Sequence, residues 1–363
     1  MSINEIIVYI MMAFLVIGAV DKLLGNKFGY GEQFEEGFMA MGSLALAMIG
    51  AMCLAPVLAD LLKPVVVPLY KALGADPSMF ATTLLACDMG GYQLAQQLAE
   101  NAQVAPFAGL ILGSMMGPTI VFTIPVALGI IEKNDQQYLA KGVLAGIITV
   151  PVGTFVGGVV SGLPAMLVLK NLTPIILFAV LIALGLKLIP NGMIKGFTYF
   201  GKFITIVITL GLVAACIESA TGFVVIPGMA PIGEGVAVVG DIAIILAGAY
   251  PLVHFITKVF KKPLMKVGSL LKMNDVAAAG MIASLANSIP MFGMMKDMDE
   301  RGKIINVAFA VSAAFVFGDH LGFAAGVNQE LITPMIIGKL VGGVTAVMVA
   351  MLMTKNVASK KEA

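Results

Sequence analysis

The sequence predicts an all-α polytopic membrane protein in which two inverted repeats, each with a re-entrant, broken-helix hairpin, flank a linking helix. Three observations carry this. Of the 363 residues, 59% are hydrophobic and only 12% charged, and the mean hydropathy of +1.00 excludes an ordinary soluble chain. Lys and Arg collect on one side of one particular topology. Motifs of the first half return in the second at a nearly constant offset. A net charge of +1 gives no sign of a nucleic-acid partner. Cys53, Cys87 and Cys216 lie inside apolar runs without ligand spacing, and there are only two histidines, so neither a cofactor nor a metal is expected.

Taken in order, apolar stretches near the roughly 20 residues a bilayer requires fall at 3–24, 36–62, 105–131, 138–168, 172–190, 199–222, 236–258, 303–325 and 331–353. The first lacks a basic leading region and reads as a membrane helix rather than a cleaved signal. Two further segments, 78–101 and 275–297, begin apolar and turn polar at Asp88-Met89-Gly90-Gly91-Tyr92-Gln93 and Asn287-Ser288-Ile289-Pro290. The Gly- and Pro-rich stretch 223–235 reads as an external loop, and 355–363 as a cytoplasmic tail.

The distribution of basic residues decides whether these two segments cross. If both are re-entrant, 18 of the 22 Lys and Arg lie on one side, Lys63, Lys71 and Lys170 on the other, and Lys339 remains inside the last span. If both cross, the bias disappears. Because basic residues gather in cytoplasmic loops, the re-entrant arrangement follows, with the N-terminus outside and the C-terminus in the cytoplasm.

The repeat points the same way. Glu36, Gly37, Gly42 and Gly50 match Glu234, Gly235, Gly240 and Gly248, and the correspondence runs on through Pro64 with Pro263, Asp76 with Asp275, Asp88 with Asn287, Gly117 with Gly318 and Lys141 with Lys339. An odd number of crossings separates the copies, so they are inverted, and inverted repeats with paired broken helices mark transporters. The first repeat covers 1–168, the linking helix 172–190 and the second repeat 199–354.

Ionisable groups at membrane depth are costly and by default functional. Asp88 leads, since a carboxylate beside the Gly90-Gly91 break offers a cation both charge and free backbone groups; it could equally cap the following half-helix. Tyr92 and Gln93 follow directly. Asn287 and Ser288 stand at the matching break, where an amide can bond a hydroxyl or satisfy broken backbone. Asp319 and His320 lie inside 303–325 opposite Pro118-Thr119 of the first copy, as an amine-binding or titrating pair or a structural ion pair. Phe323 supplies a nearby ring.

The motifs at 33–42 (QFEEGFMAMG), 83–91 (TLLACDMGG), 113–122 (GSMMGPTIVF), 287–295 (NSIPMFGMM) and 318–325 (GDHLGFAA) resemble the ethanolamine permease family of the bacterial ethanolamine-utilisation system. The likeness covers nearly the whole chain; the regions 161–174 and 223–235 are shorter here than in longer family members. The resemblance implies ethanolamine as substrate: an ammonium at neutral pH with a hydroxyl at the other end. Asp88 or Asp319 would meet the amine, Tyr92 or Phe323 would offer a ring, and Asn287, Gln93 or Thr119 would bond the hydroxyl. The expected function is a secondary transporter or facilitator, with a fixed-pore channel as the alternative and no enzymatic activity. The partners are the small substrate and membrane lipid, with a homo-oligomer left open.

Overall fold

A computed structural model describes residues 2–355; the predicted tail beyond Lys355 lies outside the described residues. Among these residues every regular element is helical. In chain order they are α1 (Ile3–Leu23), α2 (Tyr30–Ala72), α3 (Ser78–Leu84), α4 (Tyr92–Leu98), α5 (Val104–Ile130), α6 (Lys133–Val160) and α7 (Ala165–Leu188). They continue as α8 (Pro190–Thr221), α9 (Ile232–Leu270), α10 (Asp275–Ala286), α11 (Ser288–Met294), α12 (Glu300–Ala313), α13 (Asp319–Val327) and α14 (Ile332–Met353). Among the described residues, eight stretches are long and apolar enough to cross a membrane, in α1, α2, α5 to α9 and α14, which makes the chain a multi-pass membrane protein.

One predicted span is corrected. The stretch 303–325 is not a single helix but α12 and α13, parted at 314–318, where Phe315 takes a left-handed φ of 63°. The reason lies in the neighbouring helix end. The amides of Phe315 and Phe317 leave the helix to donate to the Ser284 and Leu285 carbonyls at the end of α10, both at 3.0 Å. At membrane depth no water can take those carbonyls, so protein must.

The two longest helices, α2 with 43 residues and α9 with 39, run against each other. Their glycines permit close crossings with two further helices: a Cβ on Gly50 would lie 2.0 Å from the Ile208 carbonyl of α8, and one on Gly248 would lie 2.2 Å from the Met11 carbonyl of α1. A small-residue seam is also present, with Gly153 and Gly157 of α6 packed on Gly338 and Gly342 of α14.

Two helix–break–helix units, α3 with α4 and α10 with α11, fold their halves against one another. In the first, Leu85 and Ala86 are extended, Gly90 has φ +85°, and the Cys87 amide donates to the Gly113 carbonyl at 2.8 Å. In the second, only Asn287 leaves the helical region, with φ −153°. Each break is clamped by a glycine of the following segment. A Cβ on Gly117 would lie 1.9 Å from the Leu85 carbonyl, and one on Gly318 would lie 2.1 Å from the Ala286 carbonyl.

Candidate functional site

The interruptions in these helices meet around a cavity of about 450 Å³. Its floor is the first break, with Ala86, Asp88 and Met89. One wall is the break before α13, with Phe315, Asp319 and His320. Pro118 and Phe122 of α5 close a side, and α2 and α8 complete the ring through Ser43 and Ala47, Thr205 and Thr209. Broken helices place these groups together because a residue at a helix end can aim its side chain and free backbone at a ligand, as a mid-helix residue cannot.

The polar chemistry is unevenly distributed. Asp88 and Asp319 are half-buried and face the cavity. Asp319 Oδ1 accepts the phenol proton of Tyr250 at 2.6 Å. His320 is buried beside the Phe315 ring, with ring centroids 5.3 Å apart, and its Nδ1 lies 3.0 Å from Nζ of the buried Lys339. That ammonium also donates to the Ser114 carbonyl at 2.5 Å. Pro118 has no amide proton to give this carbonyl, four residues back in the chain, so the lysine fills a gap the proline leaves.

The hydroxyls of the α2 and α8 walls are already committed as donors. Ser43 bonds the Ala40 carbonyl at 2.9 Å, Thr205 that of Gly201 at 3.0 Å and Thr209 that of Thr205 at 2.8 Å. Their oxygens remain as acceptors. A cavity with two carboxylates and three hydroxyl acceptors suits a small cation rich in N–H and O–H donors. The Cys87 thiol, the Asp88 carboxylate and the His320 ring also offer donor atoms within 4.8 Å of one another, close enough to grip a metal ion. The Lys339 ammonium, 3.0 Å from the same imidazole, carries charge of the same sign as such an ion and disfavours it.

Of the residues singled out from sequence, Asp88, Asp319 and His320 come together on the cavity. Gly90 and Gly91 shape the break below it, Gly90 against Ala51 and Gly91 against the Ala86 carbonyl. The other six lie outside the lining. Tyr92 stands edge-on to the buried Phe323 ring at 5.7 Å. Gln93 lines a separate pocket of about 80 Å³ with Glu234. Thr119 donates to the Met115 and Val311 carbonyls at 2.8 and 3.2 Å. Asn287 Oδ1 accepts the Ile289 amide at 2.8 Å, and the Ser288 hydroxyl is buried. Sequence reasoning gave no role to Lys339, Tyr250 or the α8 threonines. A lone lysine in an otherwise uncharged span was a usable signal for the first; nothing in the sequence links Tyr250 to Asp319, 69 residues away.

Comparison with known proteins covers nearly the whole chain. A family model described as "Ethanolamine utilisation protein, EutH" matches residues 3–353. A protein named "Probable ethanolamine permease EutH" from Listeria monocytogenes is 68% identical over 363 residues, covering 100% of this chain and 97% of its own length. Proteins of the same name from Salmonella typhimurium and Escherichia coli are 56% and 55% identical, covering 97% and 100% of this chain and 96% and 99% of their own lengths. No solved structure matches the chain. With a family model spanning nearly its full length and relatives at this level of identity, the chain belongs to the EutH family of ethanolamine utilisation proteins.

Proposed function

We propose that this chain is a transporter that carries ethanolamine, as the protonated amine, into the cytoplasm across the bacterial inner membrane. The cavity is the observation that carries the reading: two half-buried carboxylates and a set of hydroxyl acceptors at interrupted helices. An ammonium finds its counter-charge there, and the alcohol finds acceptors. The names of the relatives, each a "probable ethanolamine permease", support the same substrate.

The architecture belongs to this proposal. Residues 1–168 and 199–354 form two inverted repeats around the linking helix, with re-entrant hairpins at 78–101 and 275–297. The matched glycine clamps at Gly117 and Gly318, and the matched crossings at Gly50 and Gly248, support the pairing. The N-terminus is outside and the tail cytoplasmic. Labelling single cysteines placed at 72–76 and at 101–104, in a background lacking the exposed Cys216, tests the hairpin: both sites react from outside, and reaction from opposite faces overturns it.

Purified protein in liposomes is expected to take up radiolabelled ethanolamine saturably and to show counterflow, which a fixed pore does not. Choline, whose nitrogen has no N–H donor, is expected to compete poorly. Non-saturating flux without trans-stimulation replaces the transporter with a channel.

A further inference from the structure

We propose that Lys339 is the resident counter-ion of Asp88, acting through His320, so that Asp319 is left as the one uncompensated carboxylate and the site takes a single monovalent cation. This deepens the transport reading and rests on it.

The argument begins with which charges the protein itself brings to the cavity. Asp88 and Asp319 line it, and Lys339 is 1% exposed directly behind His320. Glu36 is exposed, bonded by Gln33 at 3.3 Å and absent from the cavity lining, so it is counted outside this set. Two carboxylates and one ammonium leave one negative charge in excess. At membrane depth an unpaired charge is expensive, and one protonated amine removes that excess.

Geometry decides which carboxylate the lysine serves. Lys339 Nζ lies 3.0 Å from His320 Nδ1, and the His320 ring is within 4.8 Å of both the Asp88 carboxylate and the Cys87 thiol. An ammonium has only donors, so Nδ1 must accept. The neutral imidazole then carries its proton on Nε2 and relays the lysine's positive field toward the cavity. Asp319 is held separately, on the Tyr250 hydroxyl at 2.6 Å. The lysine, histidine and Asp88 form one compensated group, and Asp319 faces the incoming ammonium. Lys339 and His320 are positioning residues in this scheme, and Asp319 touches the substrate.

A simpler role for Lys339 is to satisfy the Ser114 carbonyl that Pro118 cannot bond. Charge restoration separates the two. Lys339→Met leaves two unopposed carboxylates, and we expect ethanolamine uptake in liposomes to fall about tenfold or more, with a lower melting temperature in detergent. Adding Asp88→Asn restores the single excess charge. The double variant then recovers uptake to within about threefold of the parent, an affinity difference small on the scale of a broken ion pair, and melts above Lys339→Met. Lys339→Met combined with Asp319→Asn has the same formal charge but leaves the remaining carboxylate on the wrong side, and does not recover uptake.

A double variant with Asp88→Asn that is no better than Lys339→Met in either readout overturns the pairing and leaves the carbonyl role. Recovery with Asp319→Asn as well reduces the proposal to a charge count and overturns the assignment of Asp319. If parent liposomes take up no ethanolamine, the transport reading fails. The melting comparison still decides whether Lys339 and Asp88 are paired, because it requires no substrate.

Discussion

The two helix–break–helix units are built alike and used differently. In the first, the chain leaves the helix from Leu85, turns through Gly90 at φ +85°, and puts Asp88 on the cavity. In the second, a single extended residue, Asn287, suffices, and its side chain turns back onto its own helix at the Ile289 amide. The second half of the chain sends its carboxylate from the next interruption instead, at Asp319, where the first half has Pro118. Backbone pattern and chemistry therefore separate. Both halves keep the broken helix and its glycine clamp, but the charge sits on a different element in each, and a ligand with two unlike ends suits such a site.

Removing the charges breaks the comparison most severely. Asp319→Asn deletes the carboxylate opposed by no lysine, and Asp88→Asn leaves Lys339 to cancel Asp319. Each is expected to lower ethanolamine uptake about a hundredfold, as losing one partner of a buried charge interaction does, with membrane expression retained. Uptake close to that of the parent in Asp319→Asn would remove that residue from the site.

The glycine clamps test whether the shared backbone pattern has the same weight in both halves. Gly117→Ala and Gly318→Ala would each drive a methyl into a carbonyl of the opposing break, at 1.9 and 2.1 Å. Both are backbone contacts that cannot rotate away, and a loss of about 1–3 kcal/mol is expected from each, read as lower melting temperatures in detergent. A large loss in only one sharpens the asymmetry; none in either dissolves the matched clamps. A smaller effect is expected from Tyr250→Phe, which removes the hydroxyl held 2.6 Å from Asp319. A hydrogen bond to a charged group is worth about 1.5–3 kcal/mol, and since the ammonium itself can take over part of that role in the loaded site, KM for uptake should rise only about fivefold, while the melting temperature without substrate falls.

Most of the helical layout could be read directly from hydropathy, because a membrane span is a composition signal long enough to survive noise. The split of 303–325 could not. Phe315 and Phe317 leave the helix to meet carbonyls some 30 residues away, and a tertiary hydrogen bond leaves no trace in local composition. Asp88, Asp319 and His320 could be found because ionisable groups are rare at membrane depth. Ser43, Thr205 and Thr209 could not, since hydroxyls that bond their own helix are ordinary in apolar spans and only the cavity distinguishes them. The repeat offset matched Asp88 with Asn287, but it could not say where either side chain turns.

Asn287 gives the finest test of that last point. Its Oδ1 caps the second half-helix at Ile289 and lies off the cavity, so Asn287→Ala should cost about 1 kcal/mol of stability through the lost cap and leave KM for ethanolamine unchanged. Asn287→Asp keeps an acceptor for the same amide and brings a negative charge to a helix N-terminus, where it is tolerated; it should retain the parent's melting temperature. The opposite pattern, an unaltered melting temperature with a raised KM in Asn287→Ala, would mean that the amide turns toward the substrate during transport, and the two units would then share the ligand after all.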